Sequence, residues 1–404
     1  MQMRLVPTDL ESLVAADDPV RSVWSFVERL DLSRFYARIR AVEGEPGRPA
    51  IDPKILLALW LEATLDGVGS AREVARLCQT DVRYQWICGG VRPEYHRLSD
   101  FRSQSGQELD ELLTQTVTVL LDQNLVKIER VAQDGMKVRA NAGAGSFRSG
   151  KRLRDLHRIA HQQVQELKKE TESDGAQASR RREAARRRAA EDRARRIDKA
   201  LAELPEAEKR KKSNNGKRKS EARCSTTDPE ARVMKMADGG FRPALNVHMV
   251  SDTTSKMIVA VEVNNHGTDQ GMSKPLAEQI ENRYGIRPPE WLADGGCITL
   301  GEIDALDARG TEMIGPIRPA RSGKYEPSEV RPTDSKPVAE WRQRMTTEYA
   351  KNAYRQRAAT AELVNAQARG HGLLRFLVRG VEKAQSVLTI QAIAHNMMRA
   401  WALA

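Results

Sequence analysis

The chain has 404 residues, with 66 Lys and Arg against 55 Asp and Glu, a formal net charge of +11 and few aromatics. That length suits two or three domains, and the basic excess points to a polyanionic partner rather than a membrane, since no run approaches the roughly 18 apolar residues of a span. The start, MQMRLVPTDLESL, has no basic, apolar leader, and Cys78, Cys88, Cys224 and Cys297 form no CxxC pair, so the expectation is a cytoplasmic protein with reduced thiols and neither disulfides nor a cysteine zinc site.

Residues 1–124 read as a helical domain. Asp17-Asp18-Pro19 opens a helix striped by Val20, Val23, Trp24, Val27 and Leu30. After a Gly/Pro break at 44–49, Asp52-Pro53 opens a second, with Ile55, Leu56, Leu59, Trp60 and Leu65 as its buried side. Ser70, with Glu73 three residues on, caps a segment that ends at Gly89-Gly90. Short helices with surface arginines fit a helix-turn-helix-like DNA reader, or equally a plain packing domain. Residues 109–125 form another striped helix. It leads into an apolar strand at 125–132 that ends on Asp134-Gly135, although Asp-Gly is also a strong turn signal.

The character changes at 151–222. Leu153, Leu156, Ile159, Val164 and Leu167 keep helical spacing, a weak point follows at 173–175, and the run RRREAARRRAAEDRARR fills 180–196. A long helical hairpin ending in a flexible basic tract at 209–220 is expected. Its charge suits phosphate binding, though a solvated coiled coil is the plain reading. His157 and His161 stand at i, i+4 and could bind metal, but no third ligand accompanies them in the sequence.

From Asp228 the period switches to strands at 232–236, 244–251 and 257–263, as in a meander. A helix at 273–284, capped by Ser273, leads to a short strand that ends on Asp294-Gly295. A helix at 299–308, a strand at 311–317, a loop at 319–337, one long helix at 338–369 and a closing helix at 378–403 complete the chain.

With the hairpin removed, the order is βββαβα, that of an RNase H-like core. Asp134 and Asp294 would then end neighbouring strands on one edge of the sheet. The third acid should come from the long helix, where Glu362 shares a face with Arg355, Asn365 and Arg369; Glu348 is the rival, about 21 Å farther along the axis. Three converging carboxylates would repel one another without a cation. Two Mg²⁺ ions, with Mn²⁺ able to substitute, suit oxygen donors and phosphodiester chemistry.

These segments together resemble the bacterial insertion-sequence transposases of the DDE type, most closely the eleven-eighty-two family. The resemblance runs through Gly47-Arg-Pro-Ala-Ile-Asp52, Asp66-Gly67 and His96-Arg-Leu-Ser-Asp-Phe101-Arg102 in the helical part. It continues in Asp134-Gly-Met-Lys-Val-Arg-Ala-Asn141, Thr227-Asp228-Pro-Glu-Ala-Arg232 and Ala293-Asp294-Gly-Gly. Tyr354-Arg-Gln-Arg357 through Glu362 to Arg369 is similar to a Tyr/Arg/Glu/Lys signature, and Arg379-Gly380 with His395-Asn396 to its closing helix. Three positions depart from the family pattern: Cys297 for an aromatic, His248 for glutamine and Arg369 for lysine.

The resemblance implies an α/β fold: an RNase H-like mixed sheet flanked by helices, with the basic hairpin inserted between the first and second core strands. The expected divisions are 1–124, a helical domain that binds DNA; 125–150, the first core strand; 151–222, the insertion; and 223–404, the remaining core. Asp134, Asp294 and Glu362 would be the catalytic, metal-binding triad, and Lys137, Arg139, Arg355, Arg357 and Arg369 the DNA contacts. The implied activity is Mg²⁺-dependent cleavage and strand transfer on double-stranded transposon ends and target DNA. It would be carried out by a homo-oligomer at the bacterial nucleoid. An RNase H-like nuclease that does not join strands, or an inactive DNA-binding scaffold, are the alternatives.

Overall fold

The computed structural model describes residues 9–39, 50–171, 177–213, 221–319 and 326–403. The Gly/Pro break at 44–49, the weak point at 173–175 and the end of the basic tract at 214–220 lie outside the described residues.

The N-terminal helices are Leu10–Leu13 (α1), Pro19–Glu28 (α2), Ser33–Ala37 (α3), Pro53–Leu65 (α4), Ala71–Thr80 (α5), Val82–Cys88 (α6), Tyr95–Gln104 (α7) and Gly106–Asp122 (α8). Their starts follow the expected chemistry. Asp18, Asp52 and Ser70 accept from the amides of Val20, Lys54 and Glu73. The one-sided stripe expected of the second helix is wrong: every residue of α4 from Leu56 to Ala63 is buried, so it is a central helix surrounded by others. The His96–Arg102 segment has a packing role. Trp60 Nε1 donates to Leu98 O, and Arg102 stacks 4.0 Å over the Trp60 ring while donating to Gly69 O.

Next come Arg130–Arg139 (β1), Phe147–Ser149 (β2), Gly150–Thr171 (α9), Gln177–Ser213 (α10), Arg223–Ser225 (β3), Arg232–Lys235 (β4), Phe241–Asp252 (β5) and Ile258–Asn264 (β6). They are followed by Ser273–Tyr284 (α11), Glu290–Leu292 (β7), Leu300–Asp307 (α12), Glu312–Ile314 (β8), Lys336–Arg344 (α13), Glu348–Arg357 (α14), a π-helical turn at Ala358–Glu362, Leu363–Gly370 (α15) and Val381–Leu403 (α16).

The main sheet has six strands among the described residues, in the order β4-β5-β1-β7-β8, with β6 also on β5. β4 pairs with one end of β5 and β6 with the other. Without β4 the order is β6-β5-β1-β7-β8: an antiparallel trio, then two parallel strands. This is the arrangement expected of βββαβα. The central trio is β1, β5 and β6, however, and not the meander β4, β5, β6. The free edge of β6 is closed by side chains: Asn396 bonds both the N–H and the C=O of Ile258, and Gln385 bonds Val263 N and Val261 O. The His395-Asn396 pair therefore has a structural task.

The two long helices between β1 and β4 form the expected hairpin. Ala160, Val164 and Leu167 of α9 pack on Ala190, Ala194 and Ile197 of α10, and the β2–β3 pair closes the base. The main core is continuous from Val14 to Met397, so the N-terminal helices and the sheet share one interior. The break at 370–372 has a steric reason. A Cβ on Gly372, at φ +79°, would stand 2.5 Å from Gly67 O.

Three local expectations are corrected. Asp134 does not end its strand, because β5 pairs with β1 from Val131 to Arg139 and carries it past the acid; Gly135 lies opposite His248 in extended backbone, not in a turn. Ser273 is the first helical residue rather than the cap, and its amide donates to Glu302. The long helix at 338–369 is interrupted after α13, with Thr347 capping α14, and again by the π-turn.

Candidate active site

β1 and β7 run parallel, and their last paired residues are Ala132 and Leu292. Asp134 and Asp294 each follow two residues later, so both project from the same edge of the sheet. The loop after β7 holds Asp294 in place: its Oδ1 accepts from the Cys297 amide at 3.0 Å. Asp134 accepts from the Gly135 amide at 2.9 Å and from Asn365 Nδ2, on α15, at 2.8 Å.

One guanidinium joins the acids. Arg357 Nη2 lies 3.0 Å from Asp134 Oδ1 and 4.0 Å from Asp294 Oδ2, while Nη1 lies 4.0 Å from Glu362 Oε1. The π-turn makes this possible. In an α-helix five residues carry a side chain about 140° off its starting face, whereas the wider turn returns Glu362 to the side of Arg357. Thr360 pins the turn by accepting from Lys256 Nζ at 2.8 Å, and Ala361 packs on Ala132, Leu292 and Ile314 of the sheet.

The electrostatics are those of a site that requires positive charge. Burial pushes the Asp134 carboxyl above its ordinary pKa, and Asp294 and Asp269 add to this. Arg357 and the Gly135 amide pull the other way. Burial also works against the charge of Arg357, but Asp134, Tyr354 and Asp294 outweigh it and hold its pKa above the ordinary value. The donors are all carboxylate oxygens, and the protein itself places a cation among them. Oxygen donors of this kind are those a hard divalent ion takes.

Asp269 was not anticipated. It lies in the loop after β6, and a Cβ on Gly135 would stand 2.4 Å from its Oδ1, which is why glycine follows Asp134. Lys137 and Asn246 bond the same oxygen at 2.6 and 2.8 Å. Burial opposes ionisation of Asp269, and these hydrogen bonds outweigh it, so its pKa lies below the ordinary value. Only fold-back of the 265–271 loop brings it here; its position between Gly267 and Gly271 was the one available hint. Beside it His248 is fully buried, and neither ring nitrogen has a hydrogen-bond partner. Burial holds it neutral, with a pKa of about 4.

A cleft of about 610 Å³ opens next to Gly135, lined by Lys137, Arg139, Lys235, Arg242, Asp238 and Arg369 among others. Three of the five cations expected at DNA thus converge there. The other two do not line it. Arg355 is exposed and donates to Asn352, and Arg357 faces the acids. Glu348 pairs with Lys351 at the far end of α14.

Comparison with protein families now bears on this geometry. Residues 8–104, spanning α1 to α7, match the family described as Transposase domain (DUF772), and residues 320–401, which hold Arg357 and Glu362, match the Transposase DDE domain. Both matched regions are transposase domains, and together they support a DDE transposase. A DDE domain implies an RNase H-like fold, in keeping with the strand order of this transposase. No curated protein and no solved structure gives a significant match. Among the described residues of the transposase, no helix is long and apolar enough to cross a membrane.

Proposed function

We propose that this transposase, of the eleven-eighty-two type, binds the inverted repeats at the ends of its own element, cuts them, and joins the freed 3′-hydroxyl to target DNA. The observation that carries the reading is that Asp134 on β1, Asp294 in the loop after β7 and Glu362 in the π-turn all lie within 4.0 Å of the single guanidinium of Arg357. The three carboxylates would hold Mg²⁺, or Mn²⁺ in its place. Metal held there would supply activation of the attacking oxygen and stabilisation of the leaving oxygen of the phosphodiester. Asn365 and the Gly135 amide orient Asp134, and Arg357 keeps the acids together before metal arrives. Lys137, Arg139 and Arg369, on the cleft beside the acids, take DNA phosphates. Water is the nucleophile in the cut; in joining, the 3′-hydroxyl replaces it and one phosphodiester is exchanged for another. Two ends must be held at once, so the acting species is at least a dimer.

The test is cleavage of a supercoiled plasmid that carries the element's ends, with Mg²⁺ or EDTA, for the native chain and Glu362→Gln. Mg²⁺-dependent cuts at the ends, lost in Glu362→Gln with DNA binding retained, are expected. Full cleavage by Glu362→Gln would remove that residue from the triad. Failure to join pre-cut ends would reduce the activity to a nuclease.

A further inference from the structure

The α9–α10 hairpin carries a second cluster that the cleavage chemistry leaves unused. His157 and His161 are one turn apart on α9, and their ring centroids lie 4.3 Å from each other. Packing supplies the partner that the sequence could not reveal. Ala160 and Val164 seat against Ala194 and Ile197, which brings Asp198 of α10 up to the imidazoles. Asp198 Oδ1 lies 2.8 Å from His161 Nε2 and 3.1 Å from His157 Nε2. Among the described residues this is the one group of three or more His, Cys, Asp or Glu side chains whose ligand atoms close to within 4.8 Å.

We infer that His157, His161 and Asp198 bind a divalent transition-metal ion, zinc by donor chemistry, that staples α9 to α10. Two imidazole nitrogens and one carboxylate oxygen are a donor set that zinc accepts. Tetrahedral bonds of about 2.0–2.2 Å put donor atoms about 3.3–3.5 Å apart. The two His–Asp198 distances, 3.1 and 2.8 Å, need lengthen by only a few tenths of an ångström to match, and the three ligand atoms already lie within 4.8 Å of one another. The side chains are 42–44% exposed, so water can fill a fourth position. The acids around Arg357 offer oxygen alone and suit a harder ion, so the two sites sort their metals by ligand type. A staple has something to hold: the hairpin interface is thin here, with three alanines among its buried residues. The same helix α10 carries the arginine run, whose direction over bound DNA would be set by that cross-link.

Full-length protein is stripped with chelator, equilibrated with Zn²⁺, dialysed and analysed for metal. The His157→Gln/His161→Gln double variant should hold one equivalent less than the native chain. Asp198→Asn should bind at least tenfold more weakly, and Asp134→Asn/Glu362→Gln should keep the equivalent. Equal zinc in the native and double-histidine proteins would overturn the inference and leave the cluster a hydrogen-bonded His–Asp group. A Co²⁺ titration of the native chain is independent of any variant's folding. Strong visible bands of a tetrahedral site support the assignment, and only the pale spectrum of octahedral cobalt refutes it.

Discussion

Arg357 and Glu362 stand five residues apart and still face one another, Nη1 to Oε1 at 4.0 Å, because the helix widens to a π-turn between them. Inserting one alanine after the exposed Ala359 should turn Glu362 by about 100° relative to Arg357. Metal-dependent cleavage should fall by at least about a hundredfold, as expected when a group that binds a catalytic ion is misplaced. Helical circular dichroism and DNA binding should persist. Unchanged cleavage rates would show that the turn has no part in assembling the site.

Arg357 also neutralises a partly buried acid. Arg357→Gln removes the charge nearest Asp134 and should lower the stability of metal-free protein by about 2 kcal/mol, below the cost for a fully buried pair since Asp134 keeps some solvent contact. Added Mg²⁺ should then raise the melting temperature of the variant more than that of the native chain, because the ion takes over the guanidinium's task. Identical Mg²⁺ responses in thermal melts would count against a shared position.

The cleft residues should act through phosphates. Neutralising Arg139, Lys235 or Arg369 to Gln should weaken binding to all DNA sequences alike and lower the salt slope of the binding constant by about 1 per residue. Fluorescence anisotropy across a salt series reads this directly. Weaker binding with an unaltered slope would place the residue away from the backbone.

A further prediction concerns pH. Glu62 is buried on α4, and burial, then the charge of Asp66, push its pKa from 4.5 to about 7 despite the hydrogen bond from Arg83. The folded chain therefore holds a proton on Glu62 that the unfolded chain has released. This contribution to stability is fully present below pH 4.5 and lost as pH rises through about 7. Glu62→Gln should melt higher than the native chain at pH 8, by up to roughly 3 kcal/mol, with the gap closing towards pH 4.5. A gap that does not change with pH would mean that Glu62 is ionised in the fold throughout.

Local chemistry was readable wherever it is decided by near neighbours in the chain. Asp18, Asp52 and Ser70 announced helix starts because capping involves residues two or three apart. The hairpin was legible from the α9 stripe and the arginine run, and the order of strands and helices implied the sheet. What failed was whatever a distant partner decides. β1 continues through Asp134-Gly135 because β5 pairs along its whole length, and a turn signal has no means of registering that partner.

The sequence by itself determined the acids, their order and the elements that carry them, since composition, periodicity and capping are properties of short stretches. The tertiary structure alone decided their company. Asp269 reaches the site by the fold of a loop, Arg357 meets Asp134 and Asp294 from two distant segments, and Asp198 meets two histidines 37 and 41 residues earlier in the chain. Each of those meetings is set by packing between elements distant in sequence, an energy that no local pattern encodes.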